Sequence, residues 1–140
     1  MKKNKEIDIE TLKMEDIKFV HKIKLPDGTV TSGTDKGYYD TRGVSSVDFK
    51  GKRVLDIGCL NGIYSFYAER KGASEVVSID INDEQFGEQK HSESVDWKLG
   101  YLYAHNKLKS KCKYIFPYSI YNISEEKLGK FDIVLCLGVY

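Results

Sequence analysis

Long apolar runs are missing from this 140-residue chain. No stretch approaches the roughly 20 residues that a membrane-spanning helix needs. The start, MKKNKEIDIE, has no apolar signal core. An excess of charge is missing too: 22 basic residues face 21 acidic ones, so bulk electrostatics announces no nucleic-acid partner. Arginine is scarce, with only Arg42, Arg53 and Arg70 among the basic residues. Cysteine is limited to Cys59, Cys112 and Cys136, which form no CxxC and leave one over when paired. That argues against a disulfide framework or a zinc site and points to a reducing compartment. Internal repeats and low-complexity segments are absent. The expectation is a soluble, cytoplasmic protein of one domain at most.

What is present is an alternation of apolar runs and helical patterns. Ile7, Ile9, Leu12, Ile17 and Phe19, scattered among charges, suggest a short helix within residues 1–20. Pro26-Asp27-Gly28 is a turn signal between extended pieces, and TSGTDKGYYDTRG reads as loop. Arg53–Ile57 is a short apolar strand. Asn61 is expected to cap a helix over Gly62–Lys71 with Ile63, Phe66 and Tyr67 on one face, and Gly72 to stop it. SEVVSID is a second strand. The stretch 96–109 carries Leu99, Leu102, Tyr103 and Asn106 at helical spacing. KYIFPYSI is a third strand, with Pro117 marking an edge position or an irregular end. SEEKLGK is a turn or short helical piece, and FDIVLCLG a fourth strand. Strands alternating with helices imply α/β architecture: a doubly wound parallel sheet with ligands at the carboxyl ends of its strands.

The stretch VLDIGCLNGIYSFYAERKGASEVVSID is the informative one. Asp56 ends the first strand, with Gly58 and Gly62 following it, and Asp80 ends the second strand. The glycines let the backbone turn sharply and approach a ligand. A carboxylate at the end of the second strand is placed to accept from both hydroxyls of a ribose. The spacing G-x-x-x-G, with Leu60 between, is a poor match to the dinucleotide fingerprint. A diphosphate also wants a clear helix N-terminus, whereas Asp56 suits a cationic or amino-bearing ligand. S-adenosylmethionine, with an ammonium, a sulfonium and a ribose, fits those demands. The plainer reading of Asp56 is a hydrogen bond to the turn backbone.

FKGKRVLDIGCLNGIYSFYAERKGASEVVSIDIND closely resembles motifs I and II of the class I S-adenosylmethionine-dependent methyltransferases. The usual D-x-G-x-G-x-G stands here as Asp56-x-Gly58-x-Leu60-x-Gly62, without the middle glycine. The flanks HKIKLPDGTVTSG and YSIYNISEEKLGKFDIVLCLGVY resemble the branch that includes the tRNA wobble-uridine carboxymethyltransferase and its small-molecule cousins. The resemblance spans about residues 20–140 and implies a Rossmann-like fold. It also implies a cofactor site. Asp56, Gly58, Cys59 and Gly62 would line the methionine end. Asp80 would take the ribose hydroxyls, with Ile81 on the adenine. Ile120, Tyr121 and Asn122 would pass the adenine edge, and Leu137 and Gly138 would close the pocket below the methyl donor. Tyr140 would begin the segment that enters the acceptor site. A small-molecule acceptor is favoured over tRNA, with oxygen as the methylated atom. The alternative is a catalytically silent domain that binds an adenosyl ligand or a partner. A nicotinamide-binding domain is a weaker reading, set against by the missing glycine.

An oxygen acceptor needs a base. His21, His91 and His105 qualify by chemistry, but each is expected to be an ordinary packed or surface histidine, and none is assigned. Tyr38, Tyr39 and Arg42 precede motif I where relatives cover the cofactor. Lys107, Lys109, Lys111 and Lys113 read as the solvated end of a helix and its loop. Residues 1–45 are expected to form an N-terminal extension with a covering or substrate loop, and 46–140 the cofactor-binding half of a domain truncated after its fourth strand. The open edge of such a sheet would leave self-association available.

Overall fold

The computed structural model describes residues 8–81 and 94–137. Its strands are β1 (Arg53–Ile57), β2 (Glu75–Ile79), β3 (Lys113–Ile115) and β4 (Ile133–Cys136). Its helices are α1 (Ile63–Arg70), α2 (Ser94–Leu108) and the single turn α3 (Glu125–Leu128). RVLDI and EVVSI are rich in β-branched and apolar residues, as strands buried on both faces must be. All the pairings are parallel, in the order β3-β2-β1-β4. Chain order reverses between β1 and β4, and the crevice beyond the carboxyl ends at such a reversal is where open parallel sheets bind ligands.

Register fixes what each face carries. Asp56 lies beside Ser78 and Leu135, while Leu55 lies beside Val77 and Val134. The first face packs under α1 and α2 in a core of Val54, Val76, Phe66, Ala68, Tyr101, Ala104 and Leu135. The second carries Leu55, Val77 and Ile79, backed by Ile115, Tyr118, Ile123, Leu128 and Phe131.

Among the described residues of the 1–20 stretch the expected helix is not there. Two 3₁₀ turns, Ile9–Thr11 and Met14–Asp16, take its place, and the chain then runs extended. Ile17, Phe19, His21, Ile23 and Leu25 are all buried. That alternation has a period of two, so the segment is an extended strap rather than a helix. The turn at Pro26-Asp27-Gly28 is as expected: Gly28 has φ +87° and its N–H donates to the Leu25 carbonyl. The strap covers the outer side of α1, so Ile63 through Ala68 are all buried and no single apolar face remains.

Three further expectations are revised. Asn61 does not cap α1; the N-cap is Gly62, in the left-handed region. The buried face of α2 is Trp97, Gly100, Tyr101 and Ala104 rather than the Leu99, Leu102, Tyr103 and Asn106 series, because Tyr101 stacks on Tyr114 of β3 with centroids 3.8 Å apart. β3 is shorter than KYIFPYSI, stopping at Ile115, while the edge position that Pro117 signals is as expected. α1 ends at Arg70 with Lys71 as its C-cap, followed as expected by Gly72 at φ +97°.

Candidate cofactor site

The turn after β1 folds back over the end of β2. The N–H groups of Gly58 and Cys59 both donate to the Ile79 carbonyl, at 2.9 and 3.1 Å. The Leu60 N–H donates to Asp80 Oδ2 and the Ile81 N–H to Asp80 Oδ1, each at 2.8 Å. Leu60 stands where the middle glycine is usual, and its φ is +47°. The loop therefore keeps the left-handed conformation without the glycine, at a steric cost of about 1–2 kcal/mol.

Asp80 is the carboxylate to which this turn donates. It is 5% exposed, and burial raises its pKa, opposed by the hydrogen bonds from Ile81 and Leu60. Each of its oxygens accepts one backbone N–H, and a carboxylate oxygen has a second lone pair. Counting the described residues, two acceptor sites thus remain at the carboxyl end of β2, the number a ribose diol requires. On that donor–acceptor count the residues fit an adenosyl ligand.

Asp56 faces elsewhere. Its Oδ2 accepts from Ser65 Oγ on α1 at 2.6 Å, Ser65 Oγ lies 2.7 Å from Ser78 Oγ, and Tyr101 Oη donates to Ser78 Oγ at 2.9 Å. This buried chain joins β1, α1, β2 and α2. Burial pushes the Asp56 carboxyl up to about 7; the Ser65 hydrogen bond pulls it down and the Asp80 charge pushes it up. The partner of Asp56 is thus a helix side chain, with the Ser65 backbone beside it.

Asn61 is fully buried and uses all four of its hydrogen-bonding positions. Its Oδ1 accepts from the N–H groups of Val20 and His21, at 2.7 and 3.1 Å. Its Nδ2 donates to the carbonyls of Asp96 and Trp97. His21 Nδ1 in turn accepts from the Ile63 N–H at 3.2 Å, an otherwise orphaned donor of the first turn of α1. Burial lowers the His21 pKa to about 4, with Asp35 raising it and Arg42 lowering it. Neutral His21 is therefore a helix cap from a distant segment, and the glycine turn is clamped between strap and α2.

Asp56, Gly58, Cys59, Gly62, Asp80 and Ile81 thus gather around the carboxyl ends of β1 and β2. Ile120, Tyr121 and Asn122 form a 3₁₀ turn beyond β3. It is tied to the site by the Tyr118 N–H, which donates to the Asp80 carbonyl at 2.7 Å. Tyr121 is 94% exposed there. Leu137 follows β4, whose Cys136 pairs with Ile57 at the end of β1. Gly138, Tyr140 and His91 lie outside the described residues. Cys59 is buried and its thiol is pushed well up by burial, so it is no nucleophile. His105 Nε2 bonds the Cys112 carbonyl. Tyr39 stacks on Tyr67, and Arg42 lies over the rings of Tyr38 and Tyr64, so this loop packs on α1.

His21, Asn61, Ser65, Ser78 and Tyr101 escape a motif-based reading. The available signal is polarity inside apolar runs: one serine in IYSFYA, one in EVVSI, and a histidine on the buried phase of the strap.

The family model for FtsJ-like methyltransferases matches residues 40–138. A 95-residue stretch is 33% identical to the tRNA U34 carboxymethyltransferase of Pseudomonas aeruginosa, covering 66% of this chain and 25% of that protein. A 37-residue stretch is 51% identical to the ribosomal protein L11 methyltransferase of Porphyromonas gingivalis, covering 26% of this chain and 13% of that one. The chain thus matches a quarter or less of the length of these relatives. A solved structure from Listeria monocytogenes, provisionally described as an S-adenosylmethionine-dependent methyltransferase, overlaps 69% of this chain and 38% of its own, at 24% identity and a TM-score of 0.47. That overlap is too loose to add to what the strand order already shows.

Proposed function

The chain belongs to the FtsJ-like methyltransferase family, and from that premise we propose that it is an S-adenosylmethionine-dependent methyltransferase acting on an oxygen acceptor. Its cofactor is S-adenosylmethionine. The observation that carries this reading is Asp80: a buried carboxylate with two acceptor positions left by the described residues, at the end of β2 and against the glycine turn. When bound, the cofactor supplies an electrophilic methyl on a sulfonium primed to leave, so positioning supplies much of the rate.

Asp80 would hold the ribose hydroxyls and Ile81 would pack on the adenine. The Ile120–Asn122 turn would pass the adenine edge. The turn through Gly58, Cys59 and Gly62, with Asp56 behind it and Leu137 and Gly138 below, would hold the methionine end. A small-molecule acceptor is favoured over tRNA. Residues 1–45 would serve as an extension that covers the site, and 46–140 as the cofactor-binding unit. Among the described residues no helix is long and apolar enough to cross a membrane, in keeping with a cytoplasmic role. The edge of β4 that has no partner strand among the described residues would allow self-association.

Transfer of labelled methyl from the cofactor into hydroxylated acceptors tests the assignment. Incorporation that Asp80→Ala abolishes supports it. Tight S-adenosylhomocysteine binding with no transfer to any acceptor would favour a silent adenosyl-binding domain instead.

A further inference from the structure

The strap and α1 line an open cavity of about 210 Å³, with Lys22, Lys24, Lys36 and Arg70 around an apolar floor that includes Ile63 and Phe66. The alternation of the strap explains the first two cations. His21, Ile23 and Leu25 point inward, so Lys22 and Lys24 share the exposed phase. Lys36 follows the isolated bridge between His21 and Asp35. Arg70 comes from the last turn of α1.

Among the described residues no carboxylate lines this cavity. The acids of the strap are engaged elsewhere. Asp27 accepts from the N–H and hydroxyl of Thr29. Asp35 accepts from the Gly37 N–H and lies 3.9 Å from His21 Nε2. Asp40 accepts from the Ser45 hydroxyl. None of the ion pairs among the described residues involves Lys22, Lys24, Lys36 or Arg70. In a chain with a net charge of only +1, four cations around one small cavity whose lining holds no carboxylate among the described residues are a local concentration that the overall balance conceals. The carboxyl end of α1 would on its own disfavour an anion, and the four cations outweigh that half-charge.

We propose that this cavity binds a phosphate group of the substrate. The cavity and the cofactor turn share α1. Ile63, at its first position, follows Gly62 of the turn, and Arg70 lies seven residues on, roughly 10 Å along the axis. Ile63 itself lines the cavity, so the cavity starts at the turn end of α1. This inference names the substrate class for the methyltransferase reading and rests on it: the acceptor carries phosphate, as an RNA backbone or as a phosphorylated small molecule.

The test is a triple variant, Lys22→Gln, Lys24→Gln and Lys36→Gln, all at exposed positions. It is compared with the wild type and with a control triple at exposed lysines outside the cavity: Lys13→Gln, Lys52→Gln and Lys127→Gln. One arm measures anisotropy of a labelled short single-stranded RNA; the other is calorimetry with inorganic pyrophosphate. S-adenosylhomocysteine titration accompanies both. The cavity variant should bind the probe about tenfold more weakly near 0.1 M salt. For RNA, the dependence of log K on log salt should be shallower by about 2, at roughly 0.7 per lost contact. The control triple should change little. Pyrophosphate binding without RNA binding assigns a small phosphorylated acceptor, and the salt-dependent RNA arm assigns a nucleic acid. Equal losses in both triples, or no binding of either probe to the wild type, overturns the proposal. Loss of S-adenosylhomocysteine binding by the wild type itself would instead sink the methyltransferase reading and leave the phosphate result to stand or fall alone.

Discussion

Replacing Asp56 with Asn should change how stability depends on pH, with a sign the structure dictates. Asp56 is 2% exposed, and its Oδ2 accepts from Ser65 Oγ at 2.6 Å. Its folded pKa is raised from 3.8 to about 7, chiefly by burial. A raised acid pKa favours the folded state fully below the unfolded value, and that contribution is lost as pH rises through the folded one. The window therefore runs from about pH 4 to about pH 7. Three pH units at 1.36 kcal/mol each give an upper bound of roughly 4 kcal/mol. Asn is uncharged throughout and keeps an oxygen for the Ser65 hydroxyl. Near pH 4 the two proteins should therefore be close in stability. By pH 7.5 or so the wild type should have lost up to that amount relative to the variant. Urea unfolding at a series of pH values measures the difference, and the His21 contribution, common to both proteins, cancels. A difference that stays constant from about pH 4 to 7.5 would refute the claim that this carboxyl ionises at the expense of folding.

His21 should show the opposite dependence. Its folded pKa is depressed to about 4, so its contribution is present above about 6.5 and is lost as pH falls toward 4. His21→Ala should remove that acid-side loss in urea titrations and cost roughly 1–3 kcal/mol near pH 7 by orphaning the Ile63 N–H. Asn61→Ala removes the acceptor of two strap N–H groups and the donor to two α2 carbonyls; a destabilisation of about 2–4 kcal/mol by thermal or urea unfolding is expected. Leu60→Gly should relieve the left-handed strain and raise the melting temperature, by about 1 kcal/mol of stability net of the added chain entropy; an unchanged or lower midpoint would mean that Leu60 packing outweighs the strain.

Much of the fold is written in local pattern. The strand through Leu55 and the one through Val77 are apolar, β-branched and closed by acids, and Gly72 terminates α1 by chirality alone. The strap was harder to read because its lysines interrupt the apolar residues. Only the buried phase of Ile17, Phe19, His21, Ile23 and Leu25 reveals an extended segment, and burial is decided by contact with α1 across the chain. Asn61 looks like a helix cap because cap preference is local, yet Val20, His21, Asp96 and Trp97 claim all its hydrogen bonds. Asp56 reads as a ligand residue from its place after β1, while Ser65 and Ser78, which hold it, come together only through register. The basic cavity was invisible for the same reason: Lys22, Lys24, Lys36 and Arg70 are dispersed in sequence and balanced by acids that the fold turns elsewhere.

The central claim is that the turn after β1 and Asp80 hold the adenosyl end of S-adenosylmethionine. Isothermal titration of S-adenosylhomocysteine and of NAD into the wild type and Asp80→Ala tests it most directly. Two charge-assisted hydrogen bonds, after replacement by solvent, are expected to leave a net loss of about 2 kcal/mol. S-adenosylhomocysteine should therefore bind the wild type more tightly than NAD does, and bind a folded Asp80→Ala variant about thirtyfold more weakly. Tighter binding of NAD, or unchanged S-adenosylhomocysteine affinity in that variant, would contradict the account.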